Sequence, residues 1–285
     1  MDSTLVTYPS GAVDGTGTVV AVVPLDGGRV GVVTDTTPFH PVDHTWPDQP
    51  GDVGSLAARP VVDCVTGAVS PDGNVLVGAD IPVRRGEEGW SWVVVHVLDD
   101  SATAPAVGDA VSLTVDGPSR AALSAGHTAC HLAAFALNAE VAGMWRKDPG
   151  RSDSLGHPDF DQLALTESRI LPDGAFDAYR LGKSLRKKGF ESADLLAQVA
   201  DVQDRVNARL AAWLSDGAEV RVLSDGDDTV TARRQWSCDL AEGSASVPCG
   251  GTHVSSLADL AAVSVDYRVT DDGTGLEVRT TAVRA

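Results

Sequence analysis

Four residues of this 285-residue chain have the chemistry and the spacing to hold a transition metal. His127-Thr128-Ala129-Cys130-His131 sets two imidazoles at i and i+4. On a helix such side chains stand one above the other, so both can reach one ion. Far downstream, Cys249-Gly250-Gly251-Thr252-His253 offers a thiolate and an imidazole. The two glycines between them allow a tight backbone path and close approach to a site. Two histidines four apart are commonly a packed pair, and a glycine turn beside a cysteine is commonly only a turn. Together the two segments point to Zn2+, whose favoured ligands are Cys and His. Cys130 lies between the histidines but off their direct line, and is expected to pack in the core.

These ligands need a helix and a later turn to carry them. The length suits one large domain or two modest ones, and 43% hydrophobic residues can bury a real core. Before residue 116 the chain reads as β structure, with β-branched runs at 17–23, 29–34, 59–65, 74–77 and 90–98. Gly, Pro and Asp turns separate them, as in a small barrel or sandwich. A Pro- and Asp-rich loop, 37–54, interrupts the series, and long loops inside a domain are often functional. Residues 120–144 favour helix, with Leu123, His127, Cys130, His131, Ala134 and Leu137 at one-face spacings. A polar segment runs from Pro149 to about Gly174, a second helix is expected over 192–214, and strands over 219–223, 263–269 and 276–283. The expected fold class is α+β: an N-terminal β-barrel domain, 1–115, then an α+β zinc-containing domain, 116–285.

The formal net charge of −18 argues against a DNA-binding protein or one coated by nucleic acid. An RNA partner would need a local cationic surface. The densest basic run, 179–189, carries Arg180, Lys183, Arg186, Lys187 and Lys188. Its plain alternative is a solvated helix start. Arg233 and Arg234 form a weaker pair. The first seven residues lack a basic stretch followed by an apolar run, so no signal peptide is expected. No segment approaches a transmembrane length, so no membrane partner is expected. Four scattered cysteines suit a cytoplasmic chain with reduced thiols.

At the metal segments the chain resembles a known family. His127 to Leu132 and Cys249 to Val254 are similar to the signature shared by alanyl-tRNA synthetase editing domains and free-standing AlaX proteins. Residues 35–41 and 49–54 look like that family's Asp-x-Thr-x-Phe loop and its Gln-Pro-x-Asp-x-Gly continuation, and His96 looks like its barrel histidine. The resemblance covers most of the chain. It implies a trans-acting, zinc-dependent deacylase that hydrolyses the ester between an amino acid and the 3′-adenosine of a misacylated tRNA. Thr252 and Gln49 are then candidates to assist at the substrate or its water, and His253 is the candidate for the loosest ligand. His44 and Trp46 are candidates to contact the amino-acid side chain, with Asp43 and Asp48 solvating the loop. Arg180, Lys183, Arg186 and Lys187 are candidates to contact the tRNA backbone.

One departure stands out. Asp43-His44-Thr45-Trp46-Pro47-Asp48 replaces the family's triple glycine. This reshapes the expected substrate, which is Ser or Gly on tRNA(Ala), or threonine or an analogue on its tRNA, as in the fluorothreonyl-tRNA deacylase branch. Two other classes remain open on the residues alone: a non-catalytic zinc-stabilised module that binds tRNA or a synthetase, and a zinc hydrolase of a small metabolite.

Overall fold

A computed structural model describes residues 1–99 and 104–285. The chain forms two units, one of residues 1–120, 224–234 and 250–252, the other of residues 121–223, 235–249 and 253–285. The fold class is α+β, as expected.

In the first unit β-branched runs become strands. They are β1 (Leu5–Val6), β2 (Asp14–Pro24), β3 (Val30–Thr34), β4 (Thr36–Thr37), β5 (Gly54–Leu56), β6 (Arg59–Val61), β7 (Asp63–Val69), β8 (Val75–Val77), β9 (Ser91–Leu98) and β10 (Ala110–Val115). Eight form an antiparallel sheet in the order β6-β5-β10-β2-β3-β9-β7-β8. From its edge, β6 runs through Val62, whose N–H donates to Val97 of β9, straight into β7, the other neighbour of β9. The sheet thus curls back on itself as a half-barrel. In β10 the alternation is clean, with Val111, Leu113 and Val115 inward and Ala110, Ser112 and Thr114 outward. β9 shows no alternation because both faces are covered, Trp92, Val94 and Leu98 by one cluster and Val93 and Val95 by another. His96 is fully buried in this strand. Its Nδ1–H donates to Val32 O at 2.8 Å, so Nε2 accepts from Thr37 Oγ1 at 2.8 Å. Burial pushes its pKa down to about 4, which keeps it neutral.

The loop between β4 and β5 is pinned rather than loose. Asp52 is buried, and its carboxylate accepts from His40 N–H and from the buried Arg120 guanidinium. Arg120 also donates to Pro38 O at 2.8 Å. Burying an ion pair stabilises little by itself, but removing one partner costs about 3–5 kcal/mol, so the pair fixes the loop's path. Gly51 presses on β7, where a Cβ would lie 1.9 Å from Cys64 O. No side chain larger than hydrogen fits there.

In the second unit α1 (Gly117–Glu140), whose first four residues belong to the first unit, is followed by α2 (Phe160–Ala164), β11 (Leu165–Leu171), β12 (Gly174–Arg180), α3 (Lys183–Lys187), α4 (Ser192–Ala197) and α5 (Val199–Ser215). The strands β13 (Val220–Ser224), β14 (Arg234–Leu240), β15 (Gly243–Pro248), β16 (Leu260–Val269) and β17 (Gly275–Arg284) complete it. The sheets run β11-β12-β17-β16 and β13-β14-β15. α1 starts three residues before the expected 120, because the Asp116 carboxylate accepts from Ser119 N–H and Pro118 is tolerated in a first turn. It ends at Glu140, and Ala142–Met144 is a short 3-10 turn.

Other expectations also need correction. The helix expected over 192–214 is two helices, broken at Gln198 (φ −123°, ψ 18°); one apolar stripe runs through both, so the spacing reads as a single helix. The polar segment 149–174 contains α2 and β11, and the β14–β15 hairpin was not anticipated. In β11 only Ile170 is fully buried, so it lacks the alternation that marks a strand. α5 lies on β16, where Asn207 and Gln203 side-chain amides bond Val265 and Tyr267 backbone groups. Those bonds occupy an otherwise open sheet edge.

Candidate metal centre

α1 is buried nearly all round from Ala122 to Asn138, which suits its Ala- and Leu-rich composition. It approaches the β11–β12 turn very closely at Gly126. A Cβ there would sit 2.3 Å from Gly174 O and 2.4 Å from Leu171 O. The next residue is His127, so this contact sets the depth at which the first imidazole is presented.

The chain brings His127, His131, Cys249 and His253 together, with one donor atom from each lying within 4.8 Å of every other. Cys249 Sγ is 3.4 Å from His127 Nε2 and 3.4 Å from His253 Nε2. Tetrahedral zinc, with bonds of about 2.0–2.1 Å to N and 2.3 Å to S, separates its donors by about 3.3–3.6 Å. The two Sγ–N spacings match, and the remaining donor pairs lie within 4.8 Å. His131 Nε2 is buried with no hydrogen-bond partner, and burial pushes this imidazole down to about 4. A neutral ring with an orphaned nitrogen is what a cation would satisfy. The donor set therefore fits a metal ion such as zinc.

Residues behind the ligands fix their aim. Thr128 is fully buried, and its Oγ1 lies 3.2 Å from His253 Nδ1. It also accepts from Val254 N–H at 3.2 Å. With Nδ1–H donated to that hydroxyl, Nε2 of His253 keeps its lone pair toward the other ligands, as outer partners of metal-bound histidines do. Trp236 of β14, also fully buried, packs its ring 5.1 Å from His131 and 6.0 Å from His253. Neither residue was singled out in the sequence. Thr128 had a weak signal in its place beside His127; Trp236 had none. Cys130 sits in the core, its thiol 3.5 Å from Asp177 Oδ2 and its pKa raised by burial.

In the first unit, Gln49 and Thr252 meet. Gln49 Nε2 donates to Thr252 Oγ1 at 2.9 Å, and Thr252 N–H donates to Gln49 Oε1 at 3.1 Å. Gln49 is 1% exposed and is not a solvated loop side chain. The 43–48 segment is a built turn: Asp43 Oδ1 accepts from Thr45 N–H, Thr45 Oγ1 and Trp46 N–H, while Asp43 Oδ2 meets Arg85 at 2.9 Å. Asp43 thus organises the turn rather than merely solvating it. Asp48 accepts from Gln49 N–H, and burial raises its pKa to about 6. His44 lies against Trp92, ring centroids 5.3 Å apart, with a side chain only 7% exposed. Trp46 is exposed at 47%.

Arg180, Lys183, Arg186 and Lys187 are all exposed in the second unit, and the first three line one cleft. Arg234 is buried, its guanidinium over the Tyr8 ring and donating to Thr229 O, so it is no surface phosphate contact. Among the described residues no helix is long and apolar enough to cross a membrane.

No protein-family model matches the chain. It is similar to curated alanine–tRNA ligases. It is 28% identical over 257 residues to that of Rhizobium meliloti (strain 1021), covering 89% of this chain and 25% of the ligase. It is 29% identical over 237 residues to that of Anaeromyxobacter dehalogenans (strain 2CP-C), covering 82% and 21%. With the ligase of Rhodopseudomonas palustris (strain ATCC BAA-98 / CGA009) it shares 29% over 255 residues, 85% and 24%. The chain thus spans about a quarter of the length of the curated relatives it matches.

Proposed function

We propose that this chain is a zinc-dependent, trans-acting aminoacyl-tRNA deacylase. The observation that carries the proposal is the convergence of three imidazoles and one thiol within 4.8 Å of one another, with Cys249 Sγ 3.4 Å from both His127 Nε2 and His253 Nε2. Likeness to a limited stretch of alanine–tRNA ligases supports the substrate class, because the motif segments resemble the editing domain of such enzymes. The reaction is ester hydrolysis. Water oxygen bonds to the aminoacyl carbonyl carbon, and the bond to the ribose oxygen breaks. An amino acid and a free tRNA 3′-end leave.

His127, His131, Cys249 and His253 would hold the ion, which when bound lowers the pKa of water or polarises a carbonyl. Thr128 holds the His253 ring in the tautomer that ligates. Gln49 gives Thr252 Oγ1 a proton to accept, which turns the hydroxyl's own proton away from Gln49. On this reading Thr252, next in the chain to His253, donates that proton to the substrate. Gln49 is the residue that orients it. His44 and Trp46 belong to the turn that stands where the related loops carry glycines, and there we place the choice of amino acid.

A deacylation panel tests the proposal. tRNA(Ala) and tRNA(Thr) would carry Ser, Gly, Ala, Thr or fluorothreonine, with zinc-loaded protein. Hydrolysis of one pair well above the others is expected. Stoichiometric zinc with no hydrolysis of any would refute it. A second reading is favoured by one observation: four protein ligands fill a tetrahedral shell, as in structural sites. In that case the chain is a zinc-stabilised module that binds tRNA or a synthetase. Cys249→Ala then unfolds the domain, whereas the catalytic reading allows a folded, inactive variant.

A further inference from the structure

The second unit contains a cleft of about 740 Å³ built from parts with no role in the metal centre. Its walls are the end of α2 with the start of β11, the end of β12 with α3, and the turn between β16 and β17. Arg180, Lys183 and Arg186 line it, and all three are exposed. Among the described residues none of them is ion-paired, whereas Arg85, Arg120, Arg151, Arg205 and Arg209 each lie against a carboxylate. In a chain with 40 acidic and 22 basic residues, three cations without an ion-pair partner make this cleft locally cationic and open to an anion.

The lining acid does not supply that anion. Asp272 accepts from Thr270 Oγ1, Thr274 N–H and Thr274 Oγ1 inside its own turn. Four leucines and Ala164 form the apolar part of the wall, Leu163 and Leu165 half-buried and Leu181 and Leu185 buried, beside the hydroxyls of Thr166, Ser184 and Thr274. A bare phosphate needs no such wall, whereas a nucleotide presents both an anion and a flat base with apolar faces and polar edges. The volume falls in the range of small-ligand sites, about 300–1,000 Å³.

We infer that this cleft holds one phosphorylated nucleotide of an RNA strand, base against Leu163 and Leu165, phosphate among Arg180, Lys183 and Arg186. That the strand is tRNA rests on the deacylase reading. The test is fluorescence anisotropy of a labelled single-stranded RNA oligonucleotide with the full chain, across a salt series. The triple variant Arg180→Ala/Lys183→Ala/Arg186→Ala changes only exposed side chains, and a thermal melt checks its fold. It should bind at least about tenfold more weakly, with a log K against log salt slope shallower by about 0.7, as one phosphate contact on a single strand requires, while Arg29→Ala binds as wild type does. AMP should displace the oligonucleotide better than ribose 5-phosphate, and polyglutamate should displace it poorly. The inference falls if wild type does not bind, if the triple variant binds equally well, or if ribose 5-phosphate or polyglutamate competes as well as AMP. Binding is read without hydrolysis. An inactive protein that still binds through the cleft sinks the deacylase reading alone. An active one whose binding ignores the cleft sinks only this inference.

Discussion

Thr128→Val isolates the support behind the candidate metal ligands. The substitution keeps the side chain's shape at a fully buried position and removes only the hydroxyl. Two contacts of 3.2 Å are lost, to His253 Nδ1 and to Val254 N–H. Two separable effects follow. Without metal, the buried donors lose an acceptor, which costs about 1–3 kcal/mol for each one left unpaired. With metal, the His253 ring loses the bond that sets its tautomer, and outer-shell losses of this kind weaken metal affinity about 10–100-fold. That range is about 1.4–2.7 kcal/mol. Urea unfolding in excess chelator measures the first effect. Zinc competition against a chromogenic chelator measures the second. Thr128→Ser, which keeps the hydroxyl, should restore most of the affinity. A folded Thr128→Val protein with wild-type zinc affinity would refute the assignment of Thr128 as an outer partner, and weaken the case that His253 ligates through Nε2.

Gly126→Ala should destabilise the protein by about 1–3 kcal/mol, although alanine is the better helix former by about 1 kcal/mol. The new Cβ meets backbone oxygens of Gly174 and Leu171, which cannot swing away. The control is Gly143→Ala, where nothing lies within 4 Å, and it should be neutral or slightly stabilising by urea unfolding. Acidification should destabilise the fold through His40 and His96, both buried, with pKa values pushed by desolvation from 6.5 to about 4. The unfolded chain takes up these protons first, so this stability is whole above pH 6.5 and is lost as pH falls from 6.5 toward 4. By about pH 5 each histidine should cost about 2 kcal/mol relative to neutral pH. Asp48, raised to about 6, acts with the opposite sign and offsets part of this loss. A urea midpoint that does not fall between neutral pH and about pH 5 would contradict the neutral, buried assignment of the two rings.

Much of the site was legible in the sequence because its signals are local. His127 and His131 reveal themselves by helical spacing, and Cys249 and His253 by a short glycine-linked segment. The N-terminal strands are legible for the same reason, since β-branched runs between turn residues need no long-range information. β11 and the β14–β15 hairpin were not legible. Their burial is set by partners elsewhere in the chain, and their polar residues break the two-residue period. The basic run could be counted in the sequence, but not its arrangement around a cleft.

The sequence by itself determined which side chains could ligate zinc and, to within a few residues, where α1 runs. Only the tertiary structure decided that Cys249 reaches His127 across 122 residues, and that Gln49 and Thr252 bond across 203. It also decided that Trp236 packs against His131 and that Asp52 and Arg120 pin the loop. The reason is physical. Helix and strand periodicity repeats every few residues and can be read from a short window. A contact between distant residues is fixed by which faces the core must bury and which buried polar groups must find partners, and no window of sequence contains both sides of that requirement.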